Sequence, residues 1–262
     1  MTVRPPGVPG GASGCRNVAL GQARAEWIAF LDSDDVFTPD KFERVSHAIQ
    51  KSRSEVAALY HKSSQFDDKT RAILGEVSGG GRSDEPQWLL DRLLTGNFHA
   101  TCGMVLKRDL LVRLGGFDTT LNGVEDWWLA IQVSRRTPWL FIDKTLASIR
   151  LRPVSLMRNQ PFTHYVRQHL ALLAVAKSSG DLTKSQLTTF RRYLLGPHTL
   201  FFAGRARSRS GWRDLVPGIV LMGRKGYAPE AAALAYRQLQ SAALAWASSA
   251  RRRLVPKRTP SA

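Results

Sequence analysis

Along residues 1–150 the apolar positions switch between helical and strand spacing, the alternation of an α/β fold with at least partly parallel strands. Ser13 stands as a helix N-cap ahead of Cys15, Val18, Ala19 and Ala23, which recur at helical spacing. Trp27-Ile28-Ala29-Phe30-Leu31 is apolar without a break, the pattern of a central parallel strand covered on both faces. Thr38-Pro39 reads as an N-cap and first helical residue, opening a helix to about Ser52 with Phe42, Val45 and Ile49 on one face. Residues 55–62 read as a strand with Val56, Ala58 and Tyr60 together, and the largely polar 66–83 as a mobile loop with a weak hairpin. A helix over 86–94, a strand over 101–106 and a helix over 108–114 follow, the last ended by Gly115-Gly116. A helix over 125–134 and two short strands, 140–143 and 145–151, complete this part.

After Pro153 the pattern is helical. Helices are predicted over 165–176, over 187–195 and from Pro229. In the last, Ala232, Tyr236, Leu239, Ala243 and Trp246 are spaced as a packing face. The tail 251–258 reads as disordered.

Charge separates the two parts. Residues 1–150 carry 19 Lys and Arg against 18 Asp and Glu, whereas 151–262 carry 19 against 3. Two functional regions follow, with a domain boundary expected at 155. The basic region suits an anionic surface. Lipid headgroups attract such clusters, and the run at 205–209 could contact phosphates. No nucleic-acid-binding motif accompanies that run, and an Arg-rich solvated surface is the plain alternative. No 18-residue apolar stretch predicts a membrane span, and the first nine residues lack the apolar core of a signal peptide. Two cysteines, Cys15 and Cys102, build neither a disulfide framework nor a thiolate metal site, so a reducing, cytoplasmic compartment is expected.

The apolar run at 27–31 leads directly into Asp32-Ser33-Asp34-Asp35. Ligands of parallel α/β sheets bind beyond the carboxyl ends of strands, and crowded carboxylates with substrate phosphates suit Mg²⁺ or Mn²⁺. Taken alone, the string is equally a solvated turn with capping aspartates. Its neighbours add to it. Gly11-Ala12-Ser13-Gly14-Cys15-Arg16-Asn17, a helix, and the strand into Asp32-Ser33-Asp34-Asp35 resemble the family 2 glycosyltransferases of GT-A fold. Leu114-Gly115-Gly116-Phe117-Asp118, then Gly123-Val124-Glu125-Asp126-Trp127-Trp128-Leu129, and Thr145-Leu146-Ala147-Ser148-Ile149-Arg150 match later blocks of that family in the same order.

The resemblance, over residues 9–155, implies a truncated GT-A-like, Rossmann-related mixed sheet with a basic helical extension over 156–262. The family's opening βαβ half, which grips the nucleoside base, has no counterpart here. The sequence therefore reads as an incomplete member whose sheet would expose an edge. The resemblance implies metal-dependent, inverting transfer of a sugar from a nucleotide-sugar donor to a saccharide or lipid-linked acceptor. Asp34 and Asp35 would hold the metal, with Asp32, Asp34 and Arg16 on the nucleotide sugar. Asp126, with Glu125 beside it, would be the general base. The alternative roles are a surface ion pair for Arg16 and helix-dipole acids for Glu125 and Asp126. Trp127 and Trp128 could stack on an acceptor sugar, yet adjacent helical residues face different ways, so one of them belongs to the core. His99 could face the cleft or be structural, and His164 and His169 are too poorly spaced to share a metal. The enzyme is expected in the cytoplasm, where a lipid-linked acceptor would bring it to the inner face of the membrane as a peripheral protein. The alternative is a non-catalytic remnant whose basic half binds an anionic surface.

Overall fold

A computed structural model describes residues 11–52, 54–77, 86–152, 160–210 and 212–254. The chain forms two units, 1–160 with 168–193, and 161–167 with 194–262. The boundary expected at 155 falls within 153–159, outside the described residues.

The first unit holds a mixed sheet of β1 (Trp27–Ala29), β2 (Val36–Phe37), β3 (Ala58–Asp67), β4 (Ile73–Val77), β5 (Met104–Lys107) and β6 (Trp139–Leu151). The strand order is β1-β5-β3-β6-β2, with β4 also paired to β3. β3 and β6 run parallel from Ala58 beside Trp139 to Asp67 beside Leu151. The other described pairs are antiparallel. Alternate side chains of β3 serve opposite faces. Leu59 joins Val45, Val105 and Leu146 in one core cluster, which Ala48, Ile49 and Ile142 flank. Tyr60 points the other way, against Phe98, Trp139 and Phe141.

Several local expectations need correction. The run at 27–31 is not a central parallel strand. β1 is three residues long, half-buried, antiparallel to β5 and at one end of the strand order. Its apolar continuation has a different cause: Phe30 leaves the sheet to meet Phe117 edge-on at 5.1 Å, and Leu31 is 47% exposed. The two short strands expected over 140–151 are one strand, β6, because β6 takes up the polar step at Asp143-Lys144 as a bulge, with register shifts opposite His61 to Ser63. The 66–83 stretch does form a hairpin strand, β4, while 78–83 lie outside the described residues.

The helices are α1 (Gly11–Gln22), α2 (Lys41–Lys51), α3 (Pro86–Leu93), α4 (Arg108–Arg113), α5 (Glu125–Ser134), α6 (Phe162–Ser179), α7 (Lys184–Tyr193), α8 (Thr199–Ser210), α9 (Trp212–Arg224) and α10 (Ala228–Leu254). Ser13 is no cap. It lies inside α1, buried, with its hydroxyl lacking a partner. α2 starts later than Thr38-Pro39 implied, with Thr38 Oγ1 donating to Asp40 Oδ1 at 2.8 Å. Phe42 is 59% exposed, and the buried position beside it is Lys41. Between α3 and β5 the chain makes a buried 3₁₀ turn, Thr101–Gly103, where a strand was expected.

In the second unit Asp214 accepts the Phe162 amide at 2.9 Å. Gly218 of α9 lies so close to the Phe162 ring that a Cβ there would stand 2.3 Å away. The predicted packing face of α10 is rotated. Ala231, Leu234 and Gln238 are buried, while Tyr236 and Leu239 are exposed. The side chains of Ala243 and Trp246, and of the basic run at 205–209, lie outside the described residues. α10 continues to Leu254, so 251–254 are helical and the rest of the tail lies outside the described residues. Among the described residues no helix is long and apolar enough to cross a membrane.

Candidate active site

Arg16 and Asn17 are neighbours on α1, and each ties a distant motif to that helix. Asn17 Nδ2 donates to the Phe117 carbonyl and Asn17 Oδ1 accepts the Phe117 amide, both at 2.8 Å. This reciprocal pair requires Gly116, whose φ is +76° and where a Cβ would sit 2.3 Å from Asn17 Oδ1. Arg16 does more than pair on a surface. Its Nη2 donates to both oxygens of Asp32 at 2.7 and 3.0 Å, and its Nη1 donates to Glu125 Oε1 at 3.0 Å. The guanidinium, 12% exposed, therefore joins the acidic turn after β1 to the start of α5, whose Glu125 lies 109 residues beyond Arg16 in the chain.

Glu125 is committed within the protein. Its Oε1 faces Arg16 and its Oε2 accepts the Gly123 amide. Asp126 accepts from Thr101 Oγ1 at 3.0 Å through Oδ2, and from the Trp127 amide at 2.7 Å through Oδ1. It lies deep among protein atoms yet keeps part of its surface open. Burial raises the pKa of both carboxyls. For Glu125 the negative Asp126 adds to that rise, and for both Arg16 opposes it.

Arg150, at the end of β6, fixes the acidic turn. Its Nε donates to the Asp34 carbonyl at 2.9 Å, its amide to Asp35 Oδ1 at 3.1 Å, and its Nη1 to Asp68 Oδ1 at 2.8 Å. Asp35 is pushed up to about 6 by burial, with Asp32 and Asp34 adding to the rise. The turn is thus crowded with carboxylates. Among the described residues no three His, Cys, Asp or Glu side chains are clustered as a ready metal site. Mg²⁺ ordinarily takes one or two carboxylates and completes its shell with water and substrate phosphates. Asp34 and Asp35 fit that partial donor set.

Trp127 and Trp128 require a correction. Both are buried, at 0% and 2% exposed, so neither offers a ring face to an acceptor sugar. Trp127 Nε1 donates to the Leu93 carbonyl at 2.7 Å and its ring meets Phe190 edge-on at 5.3 Å. Both rings belong to the core because α5 is covered nearly all round. His99 is structural in character. It is buried, pushed down to about 4 by that burial, and sits in a small apolar recess with Tyr60, Phe98 and Trp139. Thr101 and Arg150 carry hydrogen bonds to this site that the sequence reading did not assign. Arg150 could have been found, since it closes the last matching block. Thr101 gave no signal.

The family profile described as glycosyltransferase like family 2 matches residues 9–182. The chain belongs to this family. An uncharacterized glycosyltransferase of Haemophilus influenzae is 23% identical over 206 residues, covering 75% of this chain and 66% of that protein. One from Nostoc sp. is 30% identical over 112 residues, covering 41% of this chain and 34% of that one. The chain thus spans just under two thirds and about one third of these relatives. Among solved structures, residues 1–349 of S. aureus TarS in complex with UDP-GlcNAc superpose with a TM-score of 0.58 at 16% identity, covering 88% of this chain and 73% of that one. The fold is therefore that of GT-A glycosyltransferases, as the family motifs implied.

Proposed function

We propose that this chain transfers a sugar from a nucleotide-sugar donor to a hydroxyl of a saccharide or lipid-linked acceptor, with inversion at the anomeric carbon. The observation carrying this reading is the Arg16 bridge, which sets the acidic turn beside the partly open Asp126. Asp126 takes the acceptor's proton as its oxygen attacks the anomeric carbon in line with the leaving diphosphate. One displacement with one base inverts the centre. Glu125 orients Arg16 and the start of α5, while Arg16 in turn holds Asp32 on the donor side. Asp34 and Asp35 would hold Mg²⁺ or Mn²⁺, which neutralises charge on the departing diphosphate. That TarS was solved with UDP-GlcNAc supports a uridine nucleotide as the first donor to test.

Calorimetric titration of UDP and of GDP with Mn²⁺ is expected to show metal-dependent binding, lost in the Asp34→Ala, Asp35→Ala double variant. Equal binding by that variant, or binding that survives removal of the metal, would reject the metal assignment.

The second unit supports a membrane-facing role for the same enzyme. Trp212, Val216 and Val220 form an exposed stripe at four-residue spacing on α9, opposite the buried Leu215, Gly218 and Met222. Exposed Arg213 and Arg224 flank the stripe on its solvent side. The unit carries thirteen Lys and Arg against two acids, Asp214 and Glu230. An apolar stripe beside cations fits the headgroup region of an anionic bilayer. The unpaired Cys15 and Cys102 fit its reducing, cytoplasmic side. Co-sedimentation with vesicles containing phosphatidylglycerol is expected, and with pure phosphatidylcholine it is not. Replacing the three stripe residues by Ser should weaken it about tenfold, taking roughly 1.4 kcal/mol as tenfold. Unchanged sedimentation would reject the surface, and a dimer that the same substitutions dissolve would assign it to a second copy.

A further inference from the structure

The 3₁₀ turn Thr101–Gly103 lies beside both halves of the candidate site. Thr101 Oγ1 donates to Asp126 Oδ2 at 3.0 Å. The next residue, Cys102, has its thiol near enough to the Asp35 carboxylate for each to act on the other electrostatically, and Ser63 Oγ lies 3.8 Å from its sulfur. Gly103 is packed against β3, where a Cβ would meet the His61 carbonyl oxygen at 3.0 Å and Ser63 Oγ at 3.3 Å. Three successive residues thus bear on the base, the metal-side carboxylate and the central strand.

The Cys102 carbonyl accepts a hydrogen bond from Lys41 Nζ at 2.9 Å. Lys41 has no exposed surface, and its ammonium lies 3.4 Å from the centre of the Phe37 ring. Among the described residues it has no carboxylate partner. Burying a lysine without a counter-charge is unfavourable, and burial pushes this one down to about 7. A methionine would fill the space with less desolvation penalty. Stability of the core therefore does not account for a lysine here. What lysine supplies and methionine lacks is a donor that holds the carbonyl of this turn.

We infer that Lys41 is a positioning residue: by anchoring the Thr101–Gly103 turn it sets Asp126 in register with Asp35, and so fixes the general base relative to the donor-binding carboxylates. Its kinetic consequence rests on the transferase reading above; its structural content does not. Misplacing a reacting group by about 1 Å can lower rate a hundredfold without loss of binding. Lys41 reaches neither substrate nor solvent, so its effect passes wholly through the turn.

The test is Lys41→Met in the full chain, read by hydrogen exchange and by kinetics. The amide of Gly103, which donates to the Ala100 carbonyl at 2.9 Å, and those of Gly123 and Trp127, which donate to Glu125 and Asp126, report on the turn and the base together. Lys41→Met is expected to speed exchange in peptides covering 100–104 and 123–127 about tenfold, the scale of a local opening rather than global unfolding. Exchange in β6 and the melting temperature should not fall. With donor and acceptor, kcat should drop at least about tenfold with KM for the donor within about twofold. Thr101→Ser should retain the wild-type rate and Thr101→Val should lose it. Unchanged exchange at 123–127 overturns the inference, as does a loss that simply follows a lower melting temperature. If the wild-type chain transfers no sugar, the transferase reading fails, and the exchange result still decides whether Lys41 couples the two regions.

Discussion

Asp126→Asn is expected to lower kcat by about two to four orders of magnitude, the range of a positioned general base, without lowering the melting temperature. The two effects have one cause. Burial raises the Asp126 pKa, and Thr101, the Trp127 amide and Arg16 offset that only in part. A carboxyl whose folded pKa lies above its unfolded value stabilises the fold below the unfolded pKa, and that contribution disappears as pH rises through the folded one. At neutral pH the ionised Asp126 therefore works against folding, and a neutral isostere relieves it. The same sign governs activity. Only the ionised form accepts a proton, so kcat/KM should fall on the acid side with an apparent pKa above the ordinary 3.8 for an aspartate. Glu125→Gln should cost less rate, because both Glu125 oxygens are held by Arg16 and the Gly123 amide and neither is offered to a substrate. Retention of more than about a tenth of the rate by Asp126→Asn, set against that same general-base range, would move the base elsewhere. A rate loss accompanied by a clear fall in melting temperature would make Asp126 structural.

What the sequence made legible was the set of motifs, and what it hid was how they meet. Arg16-Asn17, the acidic turn, Gly115-Gly116-Phe117 and Glu125-Asp126 were each readable as strings, since each has a local signature of turn glycines or paired acids. Their joining depends on side chains that meet across a hundred residues or more, such as Arg16 with Glu125 and Asn17 with Phe117, and spacing carries no trace of such contacts. Strand order was misread at 27–31 because an unbroken apolar run is equally compatible with a covered strand and with a short edge strand whose last residues turn aside to a loop phenylalanine. The α10 face was misread because Ala231, Leu234 and Gln238 compete with Ala232, Tyr236 and Leu239 for the same helical period, and tertiary packing chose the less apolar set. Lys41 was invisible for a related reason. Hydropathy places lysine outside, whereas here its four-carbon stem lies under the sheet and its amine answers one carbonyl.

Arg16→Met is expected to destabilise the first unit by about 3–5 kcal/mol, the usual effect of removing one partner from a buried ionic network. Glu125 is the reason the effect is large. Its side chain is 9% exposed, so without the guanidinium it is left as a buried charge with the Gly123 amide and an adjacent carboxylate. Asp32 matters less, because at 46% exposed it can turn to water. Two further variants separate the parts. Arg16→Met with Glu125→Gln should recover a substantial share of the loss, since the stranded charge is gone, and the recovered share shows how much of the loss came from that charge. Arg16→Lys should be intermediate, because a single ammonium cannot pair Asp32 bidentately and also reach Glu125. Urea denaturation of the four proteins, with unchanged m-values, gives the comparison. A loss under about 1 kcal/mol for Arg16→Met, the level of an exposed pair, would show that the bridge does not hold the site together. The guanidinium would then be free for donor phosphates, and the coupling between the acidic turn and α5 would have to reside in Asn17 and the Gly115-Gly116 turn instead.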